Sequence, residues 1–93
     1  ALLGDLRTSN REDLQRLERV AENTLELAQL AHRVKGGARI ARVLHLVALC
    51  ERVEHSCASR PLARERLSSD VQALRKAMQH LERQLDNQAA RSV

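Results

Sequence analysis

The sequence predicts an all-α fold, an antiparallel four-helix bundle with a short helical arm at its start. Three observations lead there. The 93 residues contain no Phe, Tyr or Trp, and the chain is dominated by Leu, Ala, Arg, Glu and Gln, the residues that lose least on entering a helix. Apolar residues recur at steps of three and four, the spacing of one buried helical face. The interruptions between those runs are short, as antiparallel neighbours require. A chain of this length supports one hydrophobic core and not two, so residues 1–93 make a single domain.

Each element has its own signal. Leu2, Leu3 and Leu6 form the apolar arm. Ser9 or Asn10 can cap a first main helix whose opening turn carries Glu12 and Asp13, acids suited to its positive end, and Leu14, Leu17 and Ala21 mark its inner face. Asn23 and Thr24 interrupt it and can cap a second helix, whose buried seam is Leu27, Ala31, Val34, Ala38 and Ala41. A third helix shows Val43, Leu46, Val47, Cys50, Val53 and Cys57 and ends near "SCASRP". Ser59 and Pro61 resemble a cap and an early helical proline opening the fourth helix. Its pattern is the cleanest in the chain: Leu67, Val71, Leu74, Met78, Leu81 and Leu85, over about six turns. The tail "NQAARSV" lacks the periodicity and is expected to fray.

Composition excludes several function classes. A formal charge of +4, spread along the chain, is mildly basic, and without aromatics to stack on bases it argues against nucleic-acid binding. There is no membrane-length apolar run and no signal-like segment. The first residue is Ala1 and not Met, so the chain is expected to be a processed or excised part of a larger protein. Cys50 and Cys57 sit two turns apart on one helix, too far to bridge, and so read as packed, reduced thiols of a cytosolic compartment. No HExxH or CxxC spacing suggests a metal site, and no P-loop or dinucleotide fingerprint suggests a nucleotide. Neither a cofactor nor autonomous kinase activity is expected. Met78 reads as core filler, and Glu51 and Glu54 as a solvated helix face.

One stretch resists a purely structural reading. In "LAQLAHRVKGGARIA", Leu27 to Ala41, two adjacent glycines, Gly36 and Gly37, occupy a helix interior. They cost the helix about 2 kcal/mol relative to alanine. At about 100° per residue, His32 points about 150° away from the centre of the seam. It therefore faces out, with Ala28 and Gln29 one turn before, Lys35 and Gly36 one turn after, and Arg39 two turns after. A neutral imidazole is a nucleophile near physiological pH, and a phosphoryl group on it would bring close to two negative charges. Lys35 can stabilise that charge, and Arg33 and Arg39 add a positive field. Gly36 removes bulk where a partner would approach. Gly37 lies nearer the buried side, where close helix packing is the expected role. His45, His55 and His80 lack the Lys-Gly context and read as ordinary structural or surface histidines.

The segment "AHRVKGGA" resembles the His-x-x-Lys-Gly signature of histidine phosphotransfer (HPt) domains, especially those closing unorthodox hybrid sensor kinases of the BvgS and EvgS kind. The resemblance extends over most of the chain. It implies that His32 is the phosphoacceptor, Lys35 the charge stabiliser and Gly36 the clearance for a receiver domain, with Gln29, Arg33 and Arg39 on the docking surface. It further implies a relay between receiver-domain aspartates of the parent kinase and of a response regulator. Any Mg²⁺ would belong to the receiver. The domain would be monomeric in isolation and would sit in the cytoplasmic part of an inner-membrane sensor kinase, without touching membrane itself. Many family members carry another glycine near the end of this helix, where this chain has "IARV", Ile40 to Val43. Two rival readings are the dimerisation and phosphoacceptor domain of an orthodox histidine kinase and a structural bundle or coiled-coil interaction module. The first expects an acid and a proline after the histidine, which "HRVKGG" lacks, and the second leaves the glycines unexplained.

Overall fold

Asn23 opens the helix that carries the histidine: its Oδ1 accepts the Glu26 N–H at 3.0 Å, the side-chain cap that an asparagine at this position provides. The computed structural model describes residues 2–20 and 23–91. It contains four helices, α1 (Leu2–Val20), α2 (Thr24–Ile40), α3 (Leu44–Ala58) and α4 (Arg64–Arg91). Each packs on its chain neighbours and α4 returns to α1, so the four surround one core. The second helix buries Leu27, Leu30, Ala31, Val34 and Ala38. Every apolar position of the fourth-helix pattern, Leu67 through Leu85, is buried. Each large side chain so placed contributes on the order of 1.5–3 kcal/mol.

Polar contacts fix the antiparallel register. Arg7 meets Asp86 at 2.6 Å and Arg11 meets Glu82 at 2.8 Å, the numbers rising on α1 as they fall on α4. Asn10 donates from Nδ2 to the Met78 carbonyl at 3.0 Å inside the same interface. Between α3 and α4, the buried Ser56 hydroxyl donates to Asp70 Oδ2 at 2.6 Å, and Arg52 reaches the other oxygen at 3.1 Å.

Several boundaries differ from those read from local signals. The expected arm and first helix are one continuous α1, because Asn10 spends its side chain on α4 and not on a cap, and no break occurs at Ser9. Leu6 does pack against the core. Ala21 and the side chains of Leu2 and Leu3 lie outside the described residues. Ser59 closes α3: its N–H and its hydroxyl both donate to the His55 carbonyl, and Pro61 lies in the connection before α4 begins at Arg64. The fourth helix runs for 28 residues, nearly eight turns, and continues through Arg91 where fraying was expected. Asp86, held by Arg7 and Arg11, ties that last stretch to α1.

The turn after α2 explains the missing glycine. Val43 N–H bonds to the Ala38 carbonyl at 2.8 Å and Arg42 N–H to the Arg39 carbonyl at 3.2 Å, the paired bonds of a Schellman ending. That ending needs a left-handed residue, and Arg42 supplies it with φ 61°. A side chain in that region costs roughly 1–2 kcal/mol. Val43, packed against the core, holds the turn in place. Ala41 is consequently the C-cap and only half-buried, the end of the seam and not part of its floor.

Candidate functional site

The buried stripe of α2 fixes its rotation, and His32 emerges on the opposite side with its side chain 74 % exposed. Across from it on α3 lies Glu54. Its Oε2 is 3.4 Å from His32 Nδ1, and its Oε1 is 2.7 Å from Lys35 Nζ. The ammonium meets Oε1 off the hydrogen-bond direction, so the contact is one of charge. Burial would push the Glu54 carboxyl up, but Lys35 and then His32 more than offset it, and Glu54 titrates below the ordinary glutamate range. It is therefore an anion at neutral pH. A neutral imidazole with its proton on Nδ1, toward that anion, keeps the Nε2 lone pair outward.

Glu54 is the residue of the candidate site that sequence reasoning missed. It was read as part of a solvated face; instead it is half-buried and joins the two residues of the motif. The available signal was slight: Glu54 falls one turn after the buried Cys50 and beside Val53, at the edge of the core stripe. Only the register of α3 on α2 reveals which side chains it meets. Lys35 also differs from expectation. Its side chain is 13 % exposed, its stem lying along the bundle and its charge drawn to α3.

The glycines leave space unfilled. A Cβ added at Gly36 or at Gly37 meets nothing within 4 Å, and neither has a positive φ. Close helix packing therefore does not explain Gly37, contrary to its expected role. Of the other residues on this face, Gln29 and Arg39 are exposed. Arg33 is half-exposed but turns toward α1, where it meets the buried Asp13 at 3.5 Å, so its charge is shared with the bundle. Burial raises the Asp13 carboxyl above its ordinary range, against the pull of Arg33.

His45, His55 and His80 are exposed on α3 and α4, away from any Lys-Gly pair. Both cysteines are free and buried, and burial followed by the Glu54 charge pushes the Cys50 thiol up to about 12, so it stays protonated. Met78 is buried in the core. Among the described residues no group of three or more His, Cys, Asp or Glu converges as metal ligands would. No helix of the described residues is long and apolar enough to cross a membrane.

A helical bundle that exposes His32, backs it with the Glu54 carboxylate and Lys35, and leaves open space one turn away has the geometry of a group-carrier module. A family model described as Hpt domain matches residues 1–91, and the chain belongs to that family. Its function is histidine phosphotransfer in a phosphorelay, in partnership with receiver domains. No curated protein and no solved structure is significantly similar to the chain.

Proposed function

We propose that His32 is the phosphoacceptor and that its Nε2 takes the phosphoryl group from an aspartyl phosphate of one receiver domain and yields it to the aspartate of another. In the forward step the Nε2 lone pair forms the N–P bond as the acyl P–O bond breaks, and the electron pair leaves with the aspartate carboxylate. Return of the phosphoryl group to a second aspartate reverses those bonds. The observation that carries this reading is the presentation of His32, with Nδ1 against Glu54 and Nε2 toward solvent. Glu54 orients the ring. Lys35, one turn away, can swing from Glu54 to a phosphoryl oxygen, so charge stabilisation is available without a new residue entering the site. Gly36 and Gly37 leave the receiver room to bring its phosphoryl group in line.

Gln29 and Arg39 flank His32 on the docking surface, with Arg33 at its edge. The catalytic Mg²⁺ belongs to the receiver, and this domain supplies the imidazole and the surface. The resemblance of the motif to hybrid kinases of the BvgS and EvgS kind supports a parent sensor kinase with the domain on its cytoplasmic side, its own receiver as one partner and a response regulator as the other. The test is labelling: phosphorylated receiver domains should place an acid-labile, base-stable label on the wild-type domain and none on His32→Gln.

A further inference from the structure

One cleft of the bundle takes no part in the chemistry at His32. It opens at the end where α2 and α4 begin and holds about 500 Å³, within the roughly 300–1,000 Å³ of small-molecule sites. Its floor is apolar, made by Leu62, Leu67 and Val71, and Thr24 and Ser68 add hydroxyl-bearing residues to its lining. Steps of three and four along α4, from Arg64 through Leu67 and Val71 to Arg75, put one helical face of α4 into it. Arg64 and Arg75 are the only charged residues lining the cleft among the described residues, so no carboxylate there neutralises them. Neither joins an ion pair among the described residues. Arg75 is half-buried, and its Nε is shut off from solvent without a hydrogen-bond partner. Its Nη1 donates only a long bond, to Gln72 Oε1 at 3.4 Å. A guanidinium nitrogen withdrawn from water without an acceptor costs stability, and native structures leave few such donors unmatched.

We infer that this cleft binds a small organic anion, a carboxylate or phosphate on a short apolar body, with the anionic group on Arg75 and Arg64 and the body on the floor of Leu62, Leu67 and Val71. Guanidinium groups hold either anion through paired, charge-assisted hydrogen bonds. A bare inorganic ion would leave the apolar floor wet, and a neutral molecule would leave both arginines unmatched. The occupant needs both parts. Because it would touch the first residue of α2 and the first turns of α4, it would bind the folded chain alone and stabilise it by mass action. Thr24 stands about 12 Å along α2 from His32, and occupancy of the cleft is read without any receiver, so the site stands or falls independently of phosphotransfer.

The test titrates the wild-type chain with hexanoate, hexyl phosphate, inorganic phosphate and hexanol at constant ionic strength, followed by amide NMR shifts and by Tm. The expected result is saturable binding of hexanoate or hexyl phosphate, with shifts concentrated at Thr24, Ser68 and Gln72 and a rise in Tm. That binding should be about tenfold or more tighter than that of inorganic phosphate or hexanol, each of which lacks one half of the ligand. Whichever of the two amphiphiles binds more tightly identifies the anionic group as carboxylate or phosphate. Arg75→Gln should weaken binding about tenfold or more, the size of one hydrogen bond to a charged group, and should leave the ligand-free Tm no lower because it removes an unmatched donor. Arg64→Gln, at the exposed first residue of α4, should weaken it severalfold and carries the test if Arg75→Gln does not fold. Arg83→Gln, exposed farther along the same helix, should leave it unchanged. No saturable binding of either amphiphile overturns the site, and so does binding that survives in folded Arg64→Gln and Arg75→Gln. An equal response to inorganic phosphate, with shifts spread over exposed arginines elsewhere, means an adventitious ion only and overturns it too.

Discussion

Glu54 stands between His32 and Lys35, with one carboxylate oxygen 3.4 Å from the imidazole Nδ1 and the other 2.7 Å from the ammonium. One residue of α3 thus holds both residues of the α2 motif. Lys35→Ala leaves a half-buried anion without its strongest partner and should cost about 1 kcal/mol of stability, more than an exposed lysine would. It should also shorten the phosphohistidine lifetime. Glu54→Gln removes the anion, so the double variant should recover part of the stability but none of the lifetime. Thermal melts of the four proteins close a double-mutant cycle.

The same pair has a pH signature. Because Glu54 titrates below the ordinary value of 4.5 in the folded protein, its contribution is present above that value and is lost as pH falls through the lowered one. The stability difference between wild type and Glu54→Gln should therefore shrink in acid, a dependence that melting temperatures at several pH values would trace.

Gly36→Ala and Gly37→Ala should each stabilise the domain by up to about 1 kcal/mol, since both positions are helical and an added Cβ meets nothing within 4 Å. Gly36→Gln should keep the fold and block transfer by filling the space beside His32. Melting temperature and transfer rate together decide it: a Gly36→Gln protein that transfers at the wild-type rate removes the clearance role.

Arg42→Gly should raise stability by about 1 kcal/mol, equivalent to roughly 4–8 °C in Tm for a domain of this size, because it relieves a side chain held at φ 61°. Transfer chemistry at saturating receiver should be unaffected. A lower Tm would mean that Arg42 makes contacts worth more than its backbone costs.

What the sequence shows and hides in this chain follows physical lines. The seam from Leu27 to Ala38 fixed the rotation of α2, and rotation alone exposes His32 and places Lys35 and Gly36 beside it, so the motif was legible before any coordinates. Asn23 was legible for the same reason, being a local cap with a local acceptor role. Asn10 and Ser59 carry equally good cap chemistry, yet one is used across the bundle and the other to close the preceding helix. Local propensity cannot choose between those uses because the choice depends on the partner helix. Glu54 was hidden for the stronger reason that its role exists only in the register of α3 against α2. Arg42 was hidden because a left-handed arginine violates the preference for glycine that would have marked the turn.

The most direct measurement is the site of the phosphoryl group. The wild-type domain is incubated with a phosphorylated receiver, and the phosphorus NMR spectrum and the acid and base stability of the product are recorded beside His32→Gln, His45→Gln, His55→Gln and His80→Gln. The account predicts an acid-labile, base-stable Nε2 phosphohistidine in the wild type and in the last three variants, and no signal in His32→Gln, whose fold is unchanged by circular dichroism. A phosphoryl group that persists in folded His32→Gln, or that disappears with one of the other three histidines, contradicts it.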